Sequence, residues 1–129
     1  MNLFINKMRL PIQTGRAPKA IGPYSQAIIE DLRYKLELSG QIGINPSTEK
    51  LTDGLEAQTR QVLDNIEGTL AEVGWKFENI TKARIYLTNM GDYTKVNEIY
   101  AERFNDSPPA RVALAVSQLP LGALVEIEC

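Results

Sequence analysis

Residues 110–119, ARVALAVSQL, constrain the fold more than any other stretch of this chain. Successive side chains of a strand point to opposite faces, so Val112, Leu114 and Val116 lie on one side and Ala113, Ala115 and Ser117 on the other. Neither side suits water, and the strand therefore needs cover on both faces. Only two segments offer it. Leu55, Thr59, Val62, Leu63, Ile66, Leu70 and Val73 recur at helical spacing, as do Val96, Ile99, Tyr100 and Phe104. Two helices cover one face of a sheet, and the second face then wants a partner, for which a closed homo-oligomer is the usual answer.

Period-two alternation marks the other strands. Tyr34, Leu36, Leu38, Gly40 and Ile42 alternate with polar neighbours in RYKLELSGQI, and Ala83, Ile85 and Leu87 do so in ITKARIYLT. IGPYSQAIIE opens on a Gly-Pro turn, and with Glu30, Asp31 and Leu32 as the connection it predicts a hairpin with RYKLELSGQI. A short strand is expected near residues 9–13. Asp53 and Glu56 form an expected capping box for the first helix, Gly74 its C-terminal stop, and Asp92 the cap of the second. The 129 residues make one domain, with residues 1–8 as a short N-terminal extension.

Composition narrows the chemistry. The net charge is −2 and no run of Lys and Arg occurs, which argues against a nucleic-acid surface. No apolar stretch is long enough to span a membrane. The chain has no histidine and one cysteine, Cys129, so an intrachain disulfide and a thiolate metal cluster are both excluded. Any chemistry falls to carboxylates, Arg, Lys, hydroxyls, backbone groups or that thiol. This inventory suits the cytoplasm. The acid-free, basic stretch before Glu30 offers a mitochondrial leader as the alternative.

AIGPYSQAI, LSGQIG, QTRQVLDNI, VNEIYAERF, PPAR and LPLGALVEIE, in this order, resemble the Rid (YjgF) family of reactive-intermediate deaminases over nearly the whole chain. The resemblance implies an α+β, chorismate-mutase-like (YjgF) fold. Its mixed, mainly antiparallel sheet would carry two helices on one face and assemble as a homotrimer around a central barrel, with clefts between subunits. The implied reaction is hydrolysis of enamines and imines, such as 2-aminoacrylate, 2-iminopropanoate or 2-iminobutanoate, to 2-keto acids and ammonia, with no cofactor and no metal. On the matching motifs, the carboxylate-binding arginine falls on Arg111 and the water-positioning glutamate on Glu126. Tyr24, Ser39, Gly40 and Asn97 complete the implied substrate-binding set with Arg111. Three features depart from the family pattern. Ala113 stands where Cys or Ser is common, Lys35 and Glu37 occupy strand positions that are commonly apolar, and the chain stops at Cys129 where members run on for several residues.

These residue types fit the implied chemistry. A guanidinium meets a carboxylate with two parallel hydrogen bonds and stays charged at any working pH, and a carboxylate can accept a proton from an attacking water. Each residue also has a plainer reading. Arg111 could snorkel to the surface, and Glu126 and Glu128 could form a solvated strand edge. Tyr24 could be turn packing, Asn97 an exposed helix residue, and Ser39 with Gly40 a bulge or a close backbone approach. At the level of function, a non-catalytic module that binds small carboxylates, or a translation inhibitor with endoribonuclease activity, stands beside the deaminase.

Overall fold

The computed structural model describes residues 9–31 and 33–129. The N-terminal extension 1–8, and Leu32 of the expected turn, lie outside them. The described residues form seven short strands and two α-helices: β1 (Arg9–Ile12), β2 (Ala27–Glu30), β3 (Ile44–Asn45), β4 (Lys50–Leu51), α1 (Leu55–Glu72), β5 (Lys82–Leu87), α2 (Tyr93–Ala101), β6 (Ala110–Ala115) and β7 (Val125–Glu128).

The central sheet runs β6-β5-β7, with β6 parallel and β7 antiparallel to β5. Its alternation is the one expected of β5: Ala83, Ile85 and Leu87 are buried, while Lys82, Arg84 and Tyr86 face away. From α1, Val62, Leu63, Ile66 and Leu70 close over Ile85, Leu87, Val125 and Ile127, and Val96, Ile99 and Tyr100 of α2 join the same cluster. Each such side chain contributes roughly 1.5–3 kcal/mol through burial. Both helices thus serve one face. Three polar groups are satisfied within this layer: Gln58 Oε1 accepts from Leu124 N at 2.8 Å, Thr59 Oγ1 donates to Leu55 O at 2.7 Å, and Asn65 Nδ2 donates to Ile44 O at 2.9 Å.

The second face is apolar only in part. Val112 and Leu114 of β6 are 38% and 40% exposed there. The outward residues of β5 and β7 are the charged Lys82, Arg84, Glu126 and Glu128 and the hydroxyl-bearing Tyr86, which need no apolar cover.

The expected hairpin takes another form. β2 pairs with β1, with Leu10 opposite Ile29. Segment 33–42 instead lies along β7, through Leu38 N to Cys129 O (2.8 Å) and the reciprocal Gln41–Ile127 bonds at 2.8 and 3.0 Å. It forms no regular strand. Leu36 and Leu38 pack inward as expected, but Tyr34 is 50% exposed and Gly40 turns outward to Glu126, because a step of three residues (38 to 41) runs against a step of two (127 to 129) and breaks the alternation.

The expected caps also differ. Gly54, at φ 85°, precedes α1 with no side-chain cap, so Asp53 and Glu56 form no capping box. Asn89 caps the 3-10 turn Met90–Asp92 that leads into α2, accepting from Gly91 N at 2.8 Å, and Asp92 is already helical. Gly74, at φ 75°, does end α1: its N–H and that of Trp75 bond back to Ala71 O and Leu70 O.

Candidate active site

Arg111 does not snorkel. It lies opposite Ala83 in the parallel β5-β6 register, so its side chain takes the helix-covered face. There Nη1 donates to Asn97 Oδ1 at 2.7 Å and Nη2 to Tyr93 Oη at 3.3 Å. Three tyrosine rings surround the guanidinium, their centroids 5.1 Å (Tyr100), 5.6 Å (Tyr24) and 5.7 Å (Tyr93) from Cζ. Aromatic faces attract a cation. No carboxylate among the described residues forms an ion pair with Arg111. A half-buried positive charge held by neutral groups is chemically able to receive an anion.

Asn97 is therefore no idle surface residue, since its amide oxygen fixes one arm of the arginine. Tyr24 is held by its own turn: its hydroxyl accepts from Ile21 N at 3.2 Å, and its N–H bonds to Gly22 O at 2.8 Å. That turn brings Gly22 against the arginine. A Cβ built at Gly22 would stand 3.4 Å from both Arg111 Nη2 and Tyr93 Oη.

Sequence reasoning passed over Tyr93 and read Tyr100 only as core. The signal was present, since positions 93, 97 and 100 share one helical face. Tyr100 is 1% exposed, and burial pushes its hydroxyl well above the ordinary phenol range, with Arg111 opposing the shift. That hydroxyl has no hydrogen-bond partner among the described residues.

Glu126 belongs to a second group. It lies opposite Tyr86 on the outward face of β7, and its side chain passes directly over Gly40. A Cβ at Gly40 would overlap Glu126 Oε1 and come within 2.9 Å of Cδ, so the glycine is the close approach that its place in the strand suggested. Ser39 is exposed next to it, and its carbonyl accepts from Gln41 Nε2 at 3.3 Å. Glu128, two residues on, is more than a solvated edge. It accepts from the Tyr86 hydroxyl at 2.5 Å and lies 3.9 Å from Arg84, and that hydrogen bond raises the Tyr86 pKa.

The chain thus brings Arg111, Asn97 and Tyr24 together, and Glu126, Gly40 and Ser39 together, but on opposite faces of one sheet. Cys129 belongs to neither set. Burial pushes its thiol up to about 11, which keeps it protonated and a poor nucleophile at neutral pH. Among the described residues no helix is long and apolar enough to cross a membrane.

Comparison with known proteins gives these groups a context. Residues 14–129 match the family described as endoribonuclease L-PSP. A RutC family protein of Pyrococcus horikoshii is 48% identical over 122 residues, 94% of this chain and 95% of that protein. The human 2-iminobutanoate/2-iminopropanoate deaminase is 41% identical over 122 residues, 94% of this chain and 88% of its own. The crystal structure of a Rid family protein from Yersinia pestis superposes with a TM-score of 0.72 at 48% identity, covering 94% of this chain and 96% of that one. With family, sequence and fold agreeing over nearly the full length, the chain belongs to the Rid (YjgF) family.

Proposed function

We propose that the protein is a cofactor-free deaminase that hydrolyses 2-imino acids and their enamine tautomers, 2-aminoacrylate, 2-iminopropanoate and 2-iminobutanoate among them, to 2-keto acids and ammonia. The observation that carries this reading is the Arg111 guanidinium: half-buried, braced by Asn97 and Tyr93, ringed by tyrosines, and without a carboxylate partner among the described residues. Such a group binds the carboxylate that every 2-imino acid carries. The imine carbon beside that carboxylate is already electrophilic when its nitrogen is protonated. A water adds to it, and Glu126 takes the water's proton and returns it to nitrogen. Glu126 then takes the remaining hydroxyl proton as the C–N bond breaks to leave the carbonyl, and hands that proton to the departing ammonia, which leaves as ammonium. Imine hydrolysis is not slow unaided, so holding the substrate and directing one water suffices.

Arg111 and Glu126 lie on opposite faces of the sheet, so the reaction requires two copies of the chain, each lending one group. A homotrimer with sites between subunits meets that need, and the exposed Val112 and Leu114 support it as a surface to be covered. The substrate and product are small molecules, and the compartment proposed is the cytoplasm.

A ribonuclease reading finds little support. A net charge of −2 offers no basic track for a phosphate backbone.

The test is a competition assay. A serine or threonine dehydratase generates the imine, semicarbazide traps it, and the protein is expected to lower the semicarbazone yield. Equal yields with and without protein, across several imines, overturn the proposal. A sensor that binds keto acids without turnover would leave the yield unchanged while still giving a binding isotherm. Activity is expected to survive EDTA, since a chain without histidine depends on no His-held metal.

A further inference from the structure

We propose that Tyr93 is a second hydrogen-bond donor to the substrate carboxylate, acting beside Arg111; the inference rests on the carboxylate-anchoring role proposed above for that arginine. A phenol has one hydrogen to give and lone pairs to receive. The Tyr93 oxygen already receives the Arg111 Nη2 hydrogen at 3.3 Å. Its own hydrogen has no acceptor among the described residues, so the hydroxyl is committed as an acceptor and free as a donor.

Gly22 marks how closely the two donors lie together. One point in space, the Cβ position of that glycine, lies 3.4 Å from both Arg111 Nη2 and Tyr93 Oη. Arg111 Nη2 and Tyr93 Oη, themselves 3.3 Å apart, are therefore neighbours beside the Gly22 backbone. A carboxylate oxygen that accepts from Nη2 is therefore close enough to accept the phenol hydrogen as well. The second carboxylate oxygen is left to the remaining guanidinium hydrogens, because Asn97 takes only one from Nη1. The tyrosine ring contributes separately, through its face toward Cζ.

The two contributions separate by experiment. Tyr93→Phe keeps the ring and removes only the hydroxyl. Binding of 2-ketobutyrate, the keto-acid product, is measured by calorimetry on wild type and variant, with imine turnover followed in parallel. A hydrogen bond to a charged group predicts a roughly 10- to 100-fold weaker Kd and a matching rise in KM, with kcat nearly unchanged. A crystal structure with 2-ketobutyrate should place Tyr93 Oη within hydrogen-bond distance of a carboxylate oxygen, whatever the fate of the variant. Wild-type binding that depends on Arg111 but is unchanged within twofold in Tyr93→Phe overturns the Tyr93 proposal and leaves the deaminase reading standing. Absence of both keto-acid binding and turnover in the wild type removes the deaminase reading, and this inference with it.

Discussion

Arg111 and Glu126 sit on strands that flank β5 on either side, and their side chains leave the sheet in opposite directions. Arg111 is level with the buried Ala83, and Glu126 with the outward Tyr86. No rotamer change brings two such groups to one substrate, because the sheet lies between them. The cation that can hold a carboxylate and the carboxylate that can direct a water are each ready in one chain, but they are ready on different surfaces.

Subunit complementation follows from that geometry. Arg111→Ala and Glu126→Gln are each expected to be inactive as homo-oligomers. Mixed by co-expression in equal amounts, they should recover about a quarter of wild-type activity, the fraction of sites that draw an intact arginine and an intact glutamate from different copies under cyclic symmetry. Assay of the co-purified mixture checks this. No recovery would mean that both groups come from the same chain.

Arg111→Lys keeps the charge and most of the stem but loses the planar fork. Losing a buried, charge-assisted pair costs about 2–5 kcal/mol, so catalytic efficiency should fall about 30- to several-thousand-fold while the fold persists. Steady-state kinetics with a circular dichroism melt tests this, and near-normal turnover would remove the arginine from substrate binding. Glu126→Gln should instead lower kcat and leave 2-ketobutyrate binding largely intact.

Gly40→Ala should move Glu126 without unfolding the protein. The new methyl group meets the far end of the Glu126 side chain rather than backbone, and that end can swing aside. Misplacing a positioned group by about an ångström costs up to roughly 100-fold, so turnover should drop while the melting temperature holds. Unchanged turnover would separate Glu126 from the chemistry.

Tyr100→Phe is expected to be neutral or stabilising. The hydroxyl it removes is buried and has no hydrogen-bond partner among the described residues, a situation that costs about 1–3 kcal/mol. Urea unfolding checks the sign, and a loss above about 1 kcal/mol would show a hydrogen bond made through another group.

Cys129 should make stability depend on pH on the alkaline side. Burial, and secondarily Glu128, raises its thiol from 9.0 to about 11. Between those values the unfolded chain gives up the proton while the folded chain keeps it. The contribution is therefore complete below pH 9 and is lost as pH rises toward 11. Urea midpoints across that range should fall more steeply in wild type than in Cys129→Ala, and parallel slopes would contradict it.

The sequence alone determined what is local and periodic. Alternation named the buried face of β5, and a 3.6-residue repeat named the inward stripe of α1, since both follow from backbone geometry without reference to neighbours. Gly74 was legible for the same reason: a left-handed residue at a helix end favours glycine wherever it occurs. Partners were not legible. Alternation could not say that β2 lies beside β1 rather than beside segment 33–42, or that Asn89 rather than Asp92 caps the turn into α2, because these depend on competing contacts. The candidate site divides in the same way. Motif resemblance pointed to Arg111, Asn97 and Glu126 as residues, but only the tertiary structure decided that a parallel β6 turns Arg111 toward α2 while an antiparallel β7 turns Glu126 away from it. Which face a strand residue takes is fixed relative to its own strand, and the register with the neighbouring strand converts that local choice into a shared surface.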